Sequence, residues 1–428
     1  VTAYAKHLPV GAAPANGMGA WGVEAAARWR RARPPAVFAP GPGSWFLAAL
    51  VCVCLALILH EEAPERAVGT AWRAYPDAVL LVALPLWYRF LPGAAAVSAA
   101  LLAVESAVAL SAADGTAART GLLLVCLLSP WAAAGALLRL RARRAQARLA
   151  LAAAGPARHP LPRLLPTGHD RRGNMPLLTG GFLCLVAAGI LLDGILGDLG
   201  GRAPYDALGQ QRAALPLLVA GTTLLARGWT ADLAARRLHR APQPALLVGV
   251  RVAPSGHFWL YPDADSPAGT PLICYRPGRG DTRTGVRMLA RAADGRHPRG
   301  LHDIDARAEP FEAVLHGPVH EGAEIVVEYA VHGGGAISAS VAAAPLLPRR
   351  RPGLDGWVPA GVSHRETQER RRERARTYAP PPPSGRRSAT TRGTAAATGT
   401  GAAAGGGCGG GDGGCGSGCG GCGGCGCG

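Results

Sequence analysis

The sequence predicts an α-helical membrane bundle of about six transmembrane helices joined to a small all-β domain, with disordered termini. Three observations carry this. The run Gly121–Leu138 is uncharged and apolar over about 18 residues, long enough to cross a hydrocarbon core of ~30 Å as a helix. That run breaks into Arg139, Arg141, Arg143, Arg144 and Arg148, and arginine-rich ends of this kind stay on the cytoplasmic side. Beyond Pro242 the long apolar runs give way to short β-rich runs punctuated by Gly and Pro.

Composition agrees. Mean hydropathy is +0.14 although 17% of residues are charged, so apolar blocks alternate with polar ones. The net charge is +17 and the pI about 10.1. Lys6 is the sole lysine; the arginines sit at the ends of apolar runs, which points to membrane orientation and attraction to anionic lipid headgroups. An Ala, Arg, Gly and Pro excess also reflects GC-rich coding. Arg365–Arg376 lacks interleaved aromatics for base stacking, apart from Tyr378, so no nucleic-acid partner is expected. Cys52, Cys54, Cys126 and Cys184 lie in apolar runs and Cys274 in a candidate strand, where cysteine acts as a small hydrophobe.

Taken in order, residues 1–43 form a disordered basic segment ending in Arg28, Arg30, Arg31 and Arg33, expected in the cytoplasm. The helical region is 44–240. Its first helix, Ser44–His60, reads as an uncleaved signal anchor, because His60-Glu-Glu-Ala-Pro-Glu-Arg66 is no small-residue cleavage site. The loop after it, with Glu61, Glu62 and Glu65, is acidic on balance, as an outside loop can be. The second helix is Asp77–Leu91, followed by the turn signal Pro92-Gly93. The third is Ala94–Ala113, closed by Asp114-Gly115, and the fourth is the Gly121–Leu138 run. A basic cytoplasmic loop, 139–174, starts helical and becomes Pro-rich at Pro156, Pro160, Pro162 and Pro166. The fifth helix is Met175–Leu192 and the sixth Ala213–Ala226, before Arg236, Arg237 and Arg240.

Tracing in and out from the N-terminus puts Arg28–Arg33, Arg139–Arg148 and Arg227–Arg240 on one side, as six spans with both ends inside require. The second, third and sixth helices are short or mildly apolar, so the count ranges from four to six; an odd count would put the C-terminal half outside. The β domain, 242–346, reads as strands at Ala245–Val252, His257–Tyr261, Pro271–Tyr275, Gly285–Leu289, Phe311–His316, Glu324–Tyr329 and Ala336–Val341. Strands at this spacing suggest a small barrel or sandwich, with a core adequate for an independent domain. Residues 349–428 form a disordered tail that is basic, then Pro-rich at Pro380–Pro383, then Gly/Cys-rich.

Candidate chemistry is sparse. Glu105 in the third helix and Asp193 in the fifth are ionisable residues inside apolar runs, which makes an ion pathway an expectation to test; both fall towards the outer ends of their helices, where headgroups and water are in reach. Gly180, Gly181, Ala188, Gly189 and Gly194 give the fifth helix a small-residue face suited to close packing. His316-Gly-Pro-Val-His320-Glu321 has two histidines four apart, but Gly317-Pro318 argues for a turn instead of the helix that would align them on one metal. His302-Asp303-Ile-Asp305 is a second group of ligand-type side chains. In the tail, Cys419, Cys422 and Cys425 have the thiolate spacing that zinc could use, and a degenerate Gly repeat would encode the same spacing. No other cofactor motif is present: no P-loop, no Gly-x-Ser-x-Gly elbow, no His-Glu-x-x-His.

With its apolar spans, arginine-rich exits and β-rich half across residues 44–346, plus the Gly/Cys-rich tail, the chain resembles the uncharacterised multi-pass integral membrane proteins of high-GC Gram-positive bacteria. The resemblance is one of layout and implies location only. The expected function is a membrane-anchored scaffold or regulatory protein presenting a cytoplasmic β-rich domain to a protein partner. A small transporter or channel using Glu105 and Asp193 is the alternative, and an enzyme at the membrane face using His302, Asp303, His316 and His320 is a third reading.

Overall fold

A computed structural model describes residues 3–9, 18–60, 72–113, 115–163, 165–166, 168–200, 206–253, 255–265, 270–277, 287–291, 304–307, 309–333 and 336–348. The tail with Cys419, Cys422 and Cys425 lies outside them, as do His302 and Asp303.

Six helices build the helical region: α2 (Pro40–His60), α3 (Tyr75–Phe90), α4 (Pro92–Ala112), α5 (Thr116–Ala154), α6 (Asn174–Gly200) and α7 (Leu208–Arg240); a short α1 (Val23–Arg31) precedes them. Four of them, α2, α4, α5 and α6, are long and apolar enough to cross a membrane. The first of these starts at Pro40, earlier than the Ser44 expected, since Pro is tolerated in a first helical turn where its missing N–H has no partner to lose. α2, α3, α4 and α5 pack on one another around Leu47, Val51, Leu84, Tyr88, Leu102, Val125 and Leu128. The pair α6 and α7 joins this group where α7 meets α3.

The α6–α7 crossing is close because glycines face each other. A Cβ at Gly180 would fall 2.5 Å from the Leu225 nitrogen, one at Gly221 2.8 Å from Cys184 Sγ, and one at Gly228 2.7 Å from the Leu177 nitrogen. Of the small-residue face expected here, Gly180 is therefore in the contact, whereas Gly189 meets nothing within 4 Å.

α5 has 39 residues. At 1.5 Å per residue it is roughly 60 Å long, about twice the hydrocarbon thickness. Its second half, from Arg139, therefore continues past the apolar run as a basic rod, and the β domain sits on that rod.

The β domain is a closed six-stranded barrel. Its strands are β3 (Ala245–Val252), β4 (Phe258–Tyr261), β5 (Ile273–Tyr275), β7 (Phe311–His316), β8 (Glu324–Gly333) and β9 (Ala336–Leu347). Antiparallel ladders run β8–β7–β3–β4–β5–β9, and β9 pairs with β8 to close the ring. Three short strands extend ladders where barrel neighbours end: β1 (Ala3–Tyr4) beside β8, β2 (Gly19–Ala20) parallel to β3, and β6 (Arg287–Arg291) beside β9. Such additions cover backbone groups that an open edge would leave unpaired.

The barrel strands start within two residues of where the sequence places them, with β8 and β9 running on past the expected Tyr329 and Val341 to Gly333 and Leu347, but the barrel is not the self-sufficient domain expected. Its interior, built on Leu246, Val248, Val250, Phe311, Leu315, Ile325 and Val327, also contains Trp21 and Trp29 from the N-terminal segment and Ala150 and Ala154 from α5. The disordered segment expected at 1–43 is thus, over 3–9 and 18–43, part of the fold. Trp29 is 2% exposed and its indole N–H donates to the Val319 carbonyl at 2.9 Å. Lys6 is buried too; its ammonium donates to the carbonyls of Ala264 (2.6 Å) and Pro310 (2.7 Å) and pairs with Glu309 at 3.6 Å. Composition could not reveal this, because each of these side chains finds its partner some 250 or more residues away.

Candidate functional site at the helix–barrel junction

The turn from β7 to β8, His316 to Glu324, is where the helical half grips the barrel. Two glycines shape it: Gly317 at φ 111° and Gly322 at φ 81°, conformations that side chains with a Cβ rarely adopt. The first also leaves no slack. A Cβ there would meet Leu238 Cδ2 of α7 at 3.0 Å and the Glu324 carbonyl at 3.1 Å.

Four parts of the chain converge on this turn. Arg139, Arg143 and Gln146 lie on one face of α5, at spacings of four and three. Arg139 and Arg143 both reach Glu321 Oε1, at 3.1 and 3.3 Å, and the Glu321 backbone N–H donates to Gln146 Oε1 at 3.3 Å. Arg139, 1% exposed, also donates to the carbonyls of Tyr88 and Arg89, so the same guanidinium holds the end of α3. α1 contributes the Trp29–Val319 bond. The linker after α5 contributes His169 and Arg172, which meet the buried Glu324 at 3.4 and 2.8 Å. α7 contributes His239, whose Nε2 lies 2.9 Å from His169 Nδ1.

A second histidine pair lies beside these. His316 is 2% exposed and neither ring nitrogen has a hydrogen-bond partner among the described residues. Burial, and then the neighbouring His159, push its pKa down from 6.5 to about 4, so it is neutral at ordinary pH. His159 is held by two backbone hydrogen bonds with Gln243, both 2.8 Å. Gln243 in turn donates to the carbonyls of Arg237, Leu238 and Ala241 and so ties off the end of α7. A cavity of about 190 Å³, lined by Ala147, Ala150, Leu151, Pro244, Gly317 and Pro318 with Arg148, adjoins the turn.

The turn read from Gly317-Pro318 is therefore present, and it separates the two histidines it carries. His316 turns towards His159, while His320 Nδ1 lies 3.0 Å from the Glu321 carbonyl, with its pKa lowered chiefly by burial. No group of three His, Cys, Asp or Glu among the described residues could hold a metal ion. Glu105 and Asp193 are both exposed; α4, carrying the first, packs on α3 and α5, and α6, carrying the second, packs on α7.

Sequence reasoning singled out His316, His320 and Glu321 but missed what meets them. Arg139 and Arg143 were legible as a topology signal, and only their common face on α5 hints at a shared carboxylate. His169, Arg172 and Glu324 carry no local signal, since their pairing depends on how the linker folds back. Chemically, the arrangement is mainly one of ion pairs and buried hydrogen bonds, which fix geometry; His316, with both ring nitrogens unpaired among the described residues, is the exception.

No protein-family model, curated protein or solved structure matches the chain.

Proposed function

We propose that this protein is a membrane-anchored scaffold that holds a cytoplasmic β-barrel in fixed orientation on the inner face of the cell membrane and presents its outer wall to a protein partner. The observation that carries the reading is the convergence of α1, α5, the linker and α7 on the His316–Glu324 turn. The ion pairs at Glu321 and Glu324 set the orientation, and the apolar core that Trp29, Ala150 and Ala154 share with the barrel supplies the burial that favours the docked geometry.

Sidedness rests on the arginines. Arg30 of α1 bonds Thr270 of the barrel domain, Arg139 and Arg143 bond its turn, and Leu238 beside Arg236, Arg237 and Arg240 packs on Gly317. All three basic clusters thus gather at the barrel end, which supports a cytoplasmic barrel with both termini inside. On this reading α3 and α7 also cross the bilayer, giving six spans. α3 has only 16 residues but is enclosed by α2, α4 and α7, which lets a short helix span beside longer ones. A small transporter or channel using Glu105 and Asp193 is the second reading; α4 and α6, which carry them, have their main packing with α5 and α7 respectively.

The test is site-specific photo-crosslinking from exposed barrel positions 255 and 276 in intact cells, with an impermeant thiol reagent applied to a Ser255→Cys variant lacking other cysteines. The scaffold reading expects one discrete protein adduct common to both positions, and labelling in inside-out vesicles only. Labelling from outside intact cells, or no adduct from either position, refutes it.

A further inference from the structure

Arg89 ends α3 and Arg227 lies in the last part of α7, and the two helices pack together. Their guanidiniums share one aromatic ring: Arg227 Cζ is 4.3 Å from the Phe90 centroid and Arg89 Cζ 5.4 Å. Four other arginines at this end of the bundle have carboxylates: Arg139 and Arg143 meet Glu321, Arg172 meets Glu324 and Arg236 meets Asp232. Arg89 and Arg227 form no ion pair with any carboxylate among the described residues. They are nonetheless close enough to repel, since both guanidiniums approach the same Phe90 ring.

The pair sits at a defined level and opens outward. Arg139 donates to the Arg89 carbonyl at 3.3 Å, which puts Arg89 at the height where α5 leaves its apolar run and becomes basic. Phe90 is 36% and Trp229 58% exposed, and Arg227 is exposed as well. Aromatic rings of this kind belong at headgroup level.

We propose that Arg89 and Arg227 form a binding site for the phosphate of an anionic lipid headgroup at the seam of α3 and α7. Two guanidinium forks from different helices can each present paired N–H donors to phosphate oxygens, and an anion between them removes their mutual repulsion. The Phe90 face restrains Arg227 through a cation–π contact. Basic seams between membrane helices on the cytoplasmic side suit such headgroups. Inorganic phosphate carries the same recognised group without the acyl chains, and the proposal assigns the lipid. It rests on the bilayer placement given above.

The experiment is native mass spectrometry of the full chain released from nanodiscs of mixed phosphatidylglycerol and phosphatidylcholine. The wild type is expected to retain phosphatidylglycerol preferentially. The double variant Arg89→Gln/Arg227→Gln is expected to lose about tenfold or more of that preference, while Arg141→Gln/Arg144→Gln, which removes equal charge from exposed positions of α5, keeps most of it. Thermal melts of both variants report that they are folded. No preference in the wild type, or equal losses in both variants, overturns the site. Displacement of the lipid by excess inorganic phosphate overturns its assignment to lipid. Failure of the bilayer placement reads differently, as a chain that carbonate extracts and that purifies without detergent.

Discussion

His316 shows what a single residue contributes at the junction. Its imidazole is buried with both nitrogens unpaired, and its folded pKa of about 4 lies below the unfolded value of 6.5. Below pH 6.5 the unfolded chain therefore binds a proton that the folded chain refuses, so stability rises with pH across the window from 4 to 6.5 and falls as pH drops through it. The full window is worth about 3 kcal/mol. His320, also lowered by burial, adds in the same direction. We expect the barrel transition of the wild type in detergent to move to lower temperature between pH 7 and pH 5, and His316→Leu to flatten most of that dependence without loss at pH 7, because the replacement strands no hydrogen-bond partner. A variant with the wild-type pH slope would assign the sensitivity to other groups. The sequence showed that Gly317-Pro318 makes a turn and denies His316 and His320 a shared helical face; what it could not show is that His159, from the linker, is the neighbour of His316.

Among the elements, α6 and α7 give the sharpest contrast between legible and hidden features. Glycine at several positions of the fifth predicted helix signalled close packing, and nothing in its local pattern said which glycines do the packing. The answer depends on the partner: Gly173, just before α6, and Gly180 within it face Gly228 and Gly221 of α7 respectively, the two on each side being seven residues apart. Gly180→Leu should force the helices apart at a cost of about 1–3 kcal/mol, the usual range for overpacking. Gly189→Leu, in open space on the same helix, should cost nothing measurable. Melting temperatures of the two variants in one detergent check this, and equal values would mean that the crossing is not a stability determinant. α5 was legible for a different reason. Its apolar run and its arginines are both local patterns, but its role as the barrel's footing depends on Glu321, over 170 residues on.

At the scale of the whole molecule, the strands of the barrel were readable because alternation and turn signals are local, whereas its completeness was not. Trp21 and Trp29 stand in an Ala/Gly/Pro/Arg-rich segment whose composition reads as disordered, and two Ala residues of a basic helix give no sign that they cap a β core. Burying a large apolar side chain is worth about 1.5–3 kcal/mol, so removing both tryptophans takes away a sizeable part of a small domain's net stability of about 5–15 kcal/mol. Their loss, with that of β1 and β2, also uncovers the edges of β8 and β3, which invites pairing with other chains. The segment 242–348 alone should therefore be aggregated or lack a cooperative thermal transition. Joining residues 1–33 to its N-terminus through a Gly/Ser linker should restore much of that transition and shift tryptophan emission to shorter wavelength as Trp29 enters its apolar site. A sharp melt from 242–348 by itself would make the N-terminal segment an accessory to an already complete barrel.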